Sequence, residues 1–174
     1  MDRCDECEFV YDELPQDQVG RALRTLPAQY GTVLAVEPER LRAHPIAGVW
    51  SALAYACHVR DVFVVQRERV ELALVEDEPS FAPMHREERV TSDRYNEQDP
   101  VQVEQELTVA ARELAKLFDG LRPDQLARTG IYNYPSRAPR TLAWIGRHSV
   151  HEGRHHLQDI ERVLDAVDGG VGQE

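Results

Sequence analysis

The chain has 174 residues, enough for one domain with a sizeable core. Its 20 Lys and Arg against 31 Asp and Glu give a formal charge of −11, and no stretch concentrates Arg away from nearby acids, so a nucleic-acid surface is not expected. The start is polar and acidic where a signal peptide needs an apolar run, and no apolar stretch nears the roughly 20 residues that span a bilayer. Cys4, Cys7 and Cys57 are too few for a disulfide framework, so a cytoplasmic protein with no membrane partner is expected.

Apolar spacing is helical nearly throughout. Residues 16–36 carry Val19, Ala22, Leu23, Leu26, Tyr30, Val33 and Leu34 at steps of three and four, interrupted by Pro27, which predicts a kink or a later start. Ser51 is placed to cap a second helix running from Leu53 to about Leu74. Residues 78–100, with Pro79, Pro83 and Pro100, read as a long loop with a functional or packing role. A third helix is predicted from about Val101 to Phe118 with Gly120 as its stop, and a second loop over 121–140. The last helix runs from about Arg140 to Val167. The sum is an all-α four-helix bundle with long interhelix connections. The boundaries are an N-terminal Cys-containing segment at 1–13, a helical metal-binding domain at 14–168 and a disordered tail at 169–174.

The last helix places Trp144, His148, His151, His155, Asp159 and Arg162 on one stripe, beside a core stripe of Leu142, Ile145, Ser149, Gly153, Leu157, Ile160, Leu164 and Val167. His151 and His155 stand one turn apart and point the same way, so both can face one ion. Neutral imidazole is the commonest metal ligand, and such a seam suits a divalent metal, zinc first.

The letters His151-Glu152-Gly153-Arg154-His155 spell the metalloprotease pattern H-E-x-x-H. Its extensions are missing: Gln158 and Glu161 stand where one class needs Gly and His, and no later helix supplies a glutamate ligand. The third ligand must come from upstream. His44 and His85 lie in loop-like segments, whereas His58 lies mid-helix, and rigid elements hold metal geometry better. His58 is therefore expected with His151 and His155.

Two segments then look familiar. Trp50-Ser51 with Tyr55-Ala-Cys-His58-Val-Arg-Asp61, and Arg140-Thr-Leu-Ala-Trp144 running into His148-Ser-Val-His151-Glu-Gly-Arg-His155-His-Leu-Gln-Asp-Ile160, resemble the DinB-like superfamily. More narrowly they resemble its actinobacterial branch of mycothiol-dependent S-transferases. The resemblance covers most of residues 1–165, counting Cys4-x-x-Cys7 and Tyr11-Asp12. It implies a four-helix bundle whose metal is held by one histidine of the second helix and an H-x-x-x-H pair of the last, mapping onto His58, His151 and His155. One departure is His156-Leu157-Gln158, where many members have Arg-Gly-Gln after the last ligand. The resemblance also implies mycothiol as thiol cosubstrate and an electrophile as second substrate.

Three neutral ligands would leave zinc its full charge and an open position, suited to a thiolate or a hydroxide. The leading expectation is a metal-dependent thiol S-transferase acting in detoxification or stress defence. A hydrolase or isomerase using zinc-bound hydroxide, and a non-catalytic metal-binding protein, are the alternatives. Asp61 and Glu152, with Asp159 as the alternative on the last helix, are the expected acids at the site, because ligating histidines usually donate their other N–H to a carboxylate or carbonyl. Arg140, Tyr132, Asn133 and His148 are the expected cofactor contacts. A monomer or homodimer is expected. Cys4-x-x-Cys7 is half of a zinc ligand set with no second Cys pair, and reads as a redox-sensitive terminal pair or part of a second metal site.

Overall fold

The computed structural model describes residues 2–133 and 136–170. Four long helices form the body: α1 (Val19–Leu34), α3 (Ala52–Val75), α5 (Pro100–Asp119) and α7 (Leu142–Gly170). Between them lie the short helices α2 (Pro38–Arg42), α4 (Arg86–Ser92) and α6 (Pro123–Leu126), and an antiparallel hairpin of β1 (Thr129–Tyr132) and β2 (Ala138–Thr141). Among the described residues no helix is long and apolar enough to cross a membrane.

Packing gives the bundle its order. Helices α1 and α3 each pack along both α5 and α7, and α1 barely touches α3. The order around the bundle is therefore α1, α5, α3, α7, with α1 opposite α3 and α5 opposite α7. Two of the three long connections cross a diagonal, which explains why they could not be short turns. The core is built from the apolar stripes read in the sequence, with Leu23, Leu26 and Tyr30 meeting Leu107, Leu114, Ile145 and Ile160, all essentially inaccessible. Burying several such side chains stabilises by about 1.5–3 kcal/mol each before entropy is charged against it.

Local chemistry sets the boundaries. Ser51 caps α3 by accepting from the Ala54 N–H at 3.1 Å, as expected. Asp99 caps α5 by accepting from the Val101 N–H at 2.8 Å, with Pro100 in the first turn, where its missing N–H costs nothing. Pro27 does not end α1: the helix continues through it, with Pro27 buried among the flanking core residues.

The connections depart furthest from the expectation. Residues 78–100 hold α4 and a 3₁₀ turn at Tyr95–Glu97, while residues 121–140 hold α6 and the hairpin. Each segment supplies the other with backbone partners: Ile131 N–H donates to Pro79 C=O at 2.8 Å, and Phe81 N–H to Ile131 C=O at 3.0 Å. Pairing of this kind depends on residues about 50 positions apart, and hydrophobic periodicity does not report it. Arg140 consequently lies on β2, and α7 begins at Leu142, capped by the Thr141 hydroxyl accepting from Trp144 N–H at 3.1 Å. The last helix runs to Gly170, and residues 171–174 of the expected tail lie outside the described residues, as do Tyr134 and Pro135.

Candidate metal centre and cavity

Helix α3 presents His58 toward α7, where Glu152 and His156 project back one turn apart. His58 Nε2 lies 3.9 Å from Glu152 Oε2, and His156 Nε2 lies 3.6 Å from that same oxygen. The two imidazole rings stand nearly perpendicular, 4.9 Å between centroids. One donor atom from each of the three residues falls within 4.8 Å of the others, which suits a single ion.

The rings are held from outside. His156 Nδ1 lies 2.7 Å from Asp159 Oδ2, the carboxylate–histidine arrangement that leaves Nε2 free for a metal. Arg162 pairs in turn with Asp159. Trp50 packs edge-on against His58 at 5.2 Å, and Tyr55 stacks on His156 at 5.3 Å.

Electrostatics agrees with this geometry. Burial pushes His58 down to about 4, helped by nearby His156, so the ring is neutral at pH 7 and its lone pair is available. Burial works against the Glu152 anion, but His148, His151 and His156 outweigh it and hold the group well below the usual carboxylate range. Burial likewise opposes charge on His156, yet its bonds to Asp159 and Glu152 prevail and push it up to about 9. An ionised glutamate thus lies between two imidazoles, one of which carries a proton that a cation would replace. His58 Nδ1 is buried without a hydrogen-bond partner. The donor set fits a divalent metal.

His58 and Glu152 of this centre line a cavity of about 340 Å³. His58, Glu152 and His148 line its inner side, Gln66 and Arg69 of α3 one flank, and the segment from Pro83 to Glu88 the mouth. Tyr132 and Asn133, at the end of β1, close the far side. The Tyr132 hydroxyl accepts from Gln66 Nε2 at 2.7 Å and from Arg69 Nη1 at 2.9 Å, so the wall is pinned. Burial pushes His148 down to about 4, and Tyr11 Oη approaches its Nδ1 to 2.8 Å.

The structure divides the expected ligand set. His58 does not meet His151 and His155; it meets Glu152 and His156, one residue further along α7. His151 and His155 face Cys4 and Cys7 instead. The reason is rotational: consecutive helical residues differ by about 100° in direction, and the run His151-Glu152-Gly153-Arg154-His155-His156 offers two ligand pairs at the same spacing. Spacing could not choose between them.

Among the other expected site residues, Glu152 lies in the centre, and His148, Tyr132 and Asn133 line the cavity. Asp61 does not. Its Oδ1 accepts from Arg60 Nε at 2.8 Å, and its Oδ2 from Tyr95 Oη at 2.6 Å and Arg89 Nη1 at 3.1 Å, an arrangement that ties α3 to α4 and the 3₁₀ turn. Arg140 also lies elsewhere, stacked 4.5 Å over Trp144 and 3.4 Å from Asp2. His156, Arg69, Met84 and Arg86 stand outside the residues expected from the sequence, and His85, set aside there as a ligand, lines the mouth. His156 could have been found from the doublet His155-His156; the mouth required the fold.

The comparisons follow the same lines. No curated protein matches the chain significantly by sequence. YfiT from Bacillus subtilis, described as a probable metal-dependent hydrolase with an unusual four-helix bundle topology, superposes with a TM-score of 0.81 at 18% identity, covering 97% of this chain and 95% of that one. A mycothiol-dependent maleylpyruvate isomerase superposes with a TM-score of 0.67 at 16% identity, and there 87% of this chain matches 63% of the other. At these identities the likeness concerns the fold. The family model of the DinB superfamily matches residues 18–160, and the chain belongs to that superfamily.

Proposed function

We propose that this chain is a metal-dependent enzyme that transfers a low-molecular-weight thiol, mycothiol in the first instance, to an electrophilic small molecule. The observation that carries the reading is the convergence of His58, Glu152 and His156, two of which, His58 and Glu152, line a cavity large enough for a small substrate. Zinc is the proposed ion. When bound, it would supply an open coordination position at which a thiol, or in a second reading a water molecule, gives up its proton.

The chain's own residues divide the remaining work. His58, and His156 once a cation has displaced its proton, would offer neutral nitrogen lone pairs, and Glu152 offers one negative charge, so the set would neutralise only half of a divalent ion. Asp159 fixes the orientation of His156. Arg69, Tyr132, Asn133 and His148 give the cavity a polar wall that can hold a hydroxyl- and amide-rich thiol, while Val62, Pro83 and Met84 shield the reacting sulfur from water. No protein nucleophile is called for: Cys57 is buried on the far side of α3, with Sγ 3.7 Å from Tyr95 C=O. The likeness to the mycothiol-dependent isomerase supports a thiol as cosubstrate.

The second reading, metal-dependent hydrolysis, is favoured by the His₂Glu donor set, which recurs in catalytic zinc hydrolases, and by the description of YfiT. One comparison separates them. Zinc-loaded protein is assayed with model electrophiles and with model esters and amides, each with and without mycothiol. Turnover that requires the thiol supports transfer, whereas equal turnover without thiol supports hydrolysis, and no turnover above background in either arm overturns both.

A further inference from the structure

The four donors left over by that centre form a set of their own. Residues 2–11 make a hairpin: Arg3 and Val10 pair as an antiparallel bridge, Cys4 N–H donates to Phe9 C=O at 3.0 Å, and Tyr11 N–H to Asp2 C=O at 3.0 Å. Asp5 and Glu6 turn between Cys4 and Cys7, and Glu8 takes a left-handed conformation with φ of 59° just beyond. The hairpin lies over α7, with the Phe9 ring 5.5 Å from that of His151. Both thiols are free and half-buried.

We propose that Cys4, Cys7, His151 and His155 bind a second zinc ion, closed and structural, that fastens the N-terminal hairpin to α7. One donor atom from each of the four lies within 4.8 Å of all the others. Bonds of about 2.3 Å to sulfur and 2.0–2.1 Å to nitrogen, arranged tetrahedrally, put donors roughly 3.3–3.8 Å apart. Cys4 Sγ already lies 3.7 Å from His155 Nδ1. His151 Nε2 is buried with no hydrogen-bond partner, a nitrogen left for an ion to take. Two cysteines separated by two residues on a turn, at i and i+3, joined by two histidines at i and i+4 of a helix, follow the spacing of structural Cys₂His₂ sites. Two thiolates and two neutral imidazoles balance the charge of the ion, so four ligands close the shell and leave no position for substrate.

The site also has a consequence for the cavity. Tyr11 follows the hairpin directly, and its hydroxyl lies 2.8 Å from Nδ1 of His148 and 3.1 Å from Nδ1 of His151. Holding the hairpin down therefore fixes Tyr11 against a histidine that lines the cavity. The role is positional and stands whether the chemistry at His58 is transfer or hydrolysis.

Cobalt substitution tests the proposal, because sulfur ligation gives Co(II) an intense near-ultraviolet charge-transfer absorption that a His₂Glu site cannot produce. The wild-type chain loaded with Co(II) under reducing conditions is expected to show this band. It should be lost in Cys4→Ser/Cys7→Ser and kept in His156→Ala. As a check that needs no variant, Cys4 and Cys7 of zinc-loaded wild type should resist alkylation and become reactive once zinc is chelated. Absence of the band in wild type, its persistence in the double serine variant, alkylation unaffected by chelation, or recovery of Cys4 and Cys7 as a disulfide in the zinc-loaded protein would each overturn the site. None of these outcomes bears on the His58 centre, so the two readings fail separately.

Discussion

His58 Nε2 and Glu152 Oε2 face each other at 3.9 Å across the seam between α3 and α7, on two helices that pack along their length. Because both sit on rigid elements, the distance between them is set by helix packing rather than by a loop, as a preorganised site requires.

This pairing makes the register of α7 testable. His58→Ala or His156→Ala should weaken metal binding at the cavity by more than about 100-fold, since even outer residues that orient ligands are worth about 10–100-fold. His155→Ala should leave binding at that site within a few-fold of wild type. Isothermal titration on protein carrying Cys4→Ser/Cys7→Ser isolates the cavity site. A His155→Ala variant that loses the ion while His156→Ala retains it would return the site to the pair His151 and His155.

Asp61 is expected to serve stability and not metal binding. Replacing it by alanine leaves Arg60 and Arg89 without their shared partner, and breaking a buried pair costs about 3–5 kcal/mol. Arg89 is partly exposed, which places the loss toward the lower figure or below it. Urea unfolding should show the loss while the metal content of the folded protein stays at the wild-type value. A drop in metal content with stability intact would contradict the assignment.

Gly153 lets α7 approach the core. A Cβ there would stand 2.5 Å from Leu26 Cδ1 and 3.2 Å from Phe63 Cζ, and the neighbouring Tyr30 hydroxyl donates to the Gly153 carbonyl at 2.9 Å. Gly153→Ala gains about 1 kcal/mol of helix preference but meets overpacking of about 1–3 kcal/mol. Net destabilisation is the expected result, and it should shrink in a Leu26→Val background, where the clashing methyl is gone. An equal effect in both backgrounds would show that the contact does not set the cost.

Cys57 and the buried tyrosines predict alkaline instability. Burial pushes the Cys57 thiol up to about 12 from an ordinary value of 9.0, and raises Tyr11, Tyr30, Tyr95 and Tyr132. The folded state thus keeps protons that the unfolded chain gives up. The Cys57 contribution is fully present below pH 9 and disappears as pH rises from about 9 to about 12. Thermal midpoints should fall across that range, and Cys57 should resist alkylation at pH 8 until the chain is unfolded. Rapid labelling of Cys57 in the native protein would refute the burial argument.

Much of this was legible in the sequence, for identifiable reasons. Amphipathic spacing located α1, α5 and α7 to within a few residues, because each buries one stripe, whereas α3, buried on most sides in its first half, was legible from its run without Pro or Gly. His58 was legible as a candidate because rigid helical placement and imidazole chemistry single it out, whereas Glu152 was expected as an acid beside the ligands and not as a donor to the ion. The choice between His155 and His156 was not legible, since about 100° of rotation separates neighbours and both pairs keep the i, i+4 spacing. Asp61 was misassigned for a related reason: it shares a helical stripe with His58, but its partners Arg89 and Tyr95 come from a connection whose folding the periodicity does not encode. The hairpin was missed because its strands are only four residues each, too short for a period to show, and its pairing with Pro79–Phe81 because those backbone partners lie about 50 positions away.

The long connections of the bundle separate two kinds of change. The proposed ligands lie on α3 and α7, whereas the mouth and the far side of the cavity belong to the segments between the long helices, Pro83–Glu88 and Tyr132–Asn133. Descendants of this fold can therefore rewrite those two segments, by insertion or substitution, and so acquire new substrates without disturbing the ion. Divergence within such a lineage should accumulate at the rim and spare the floor.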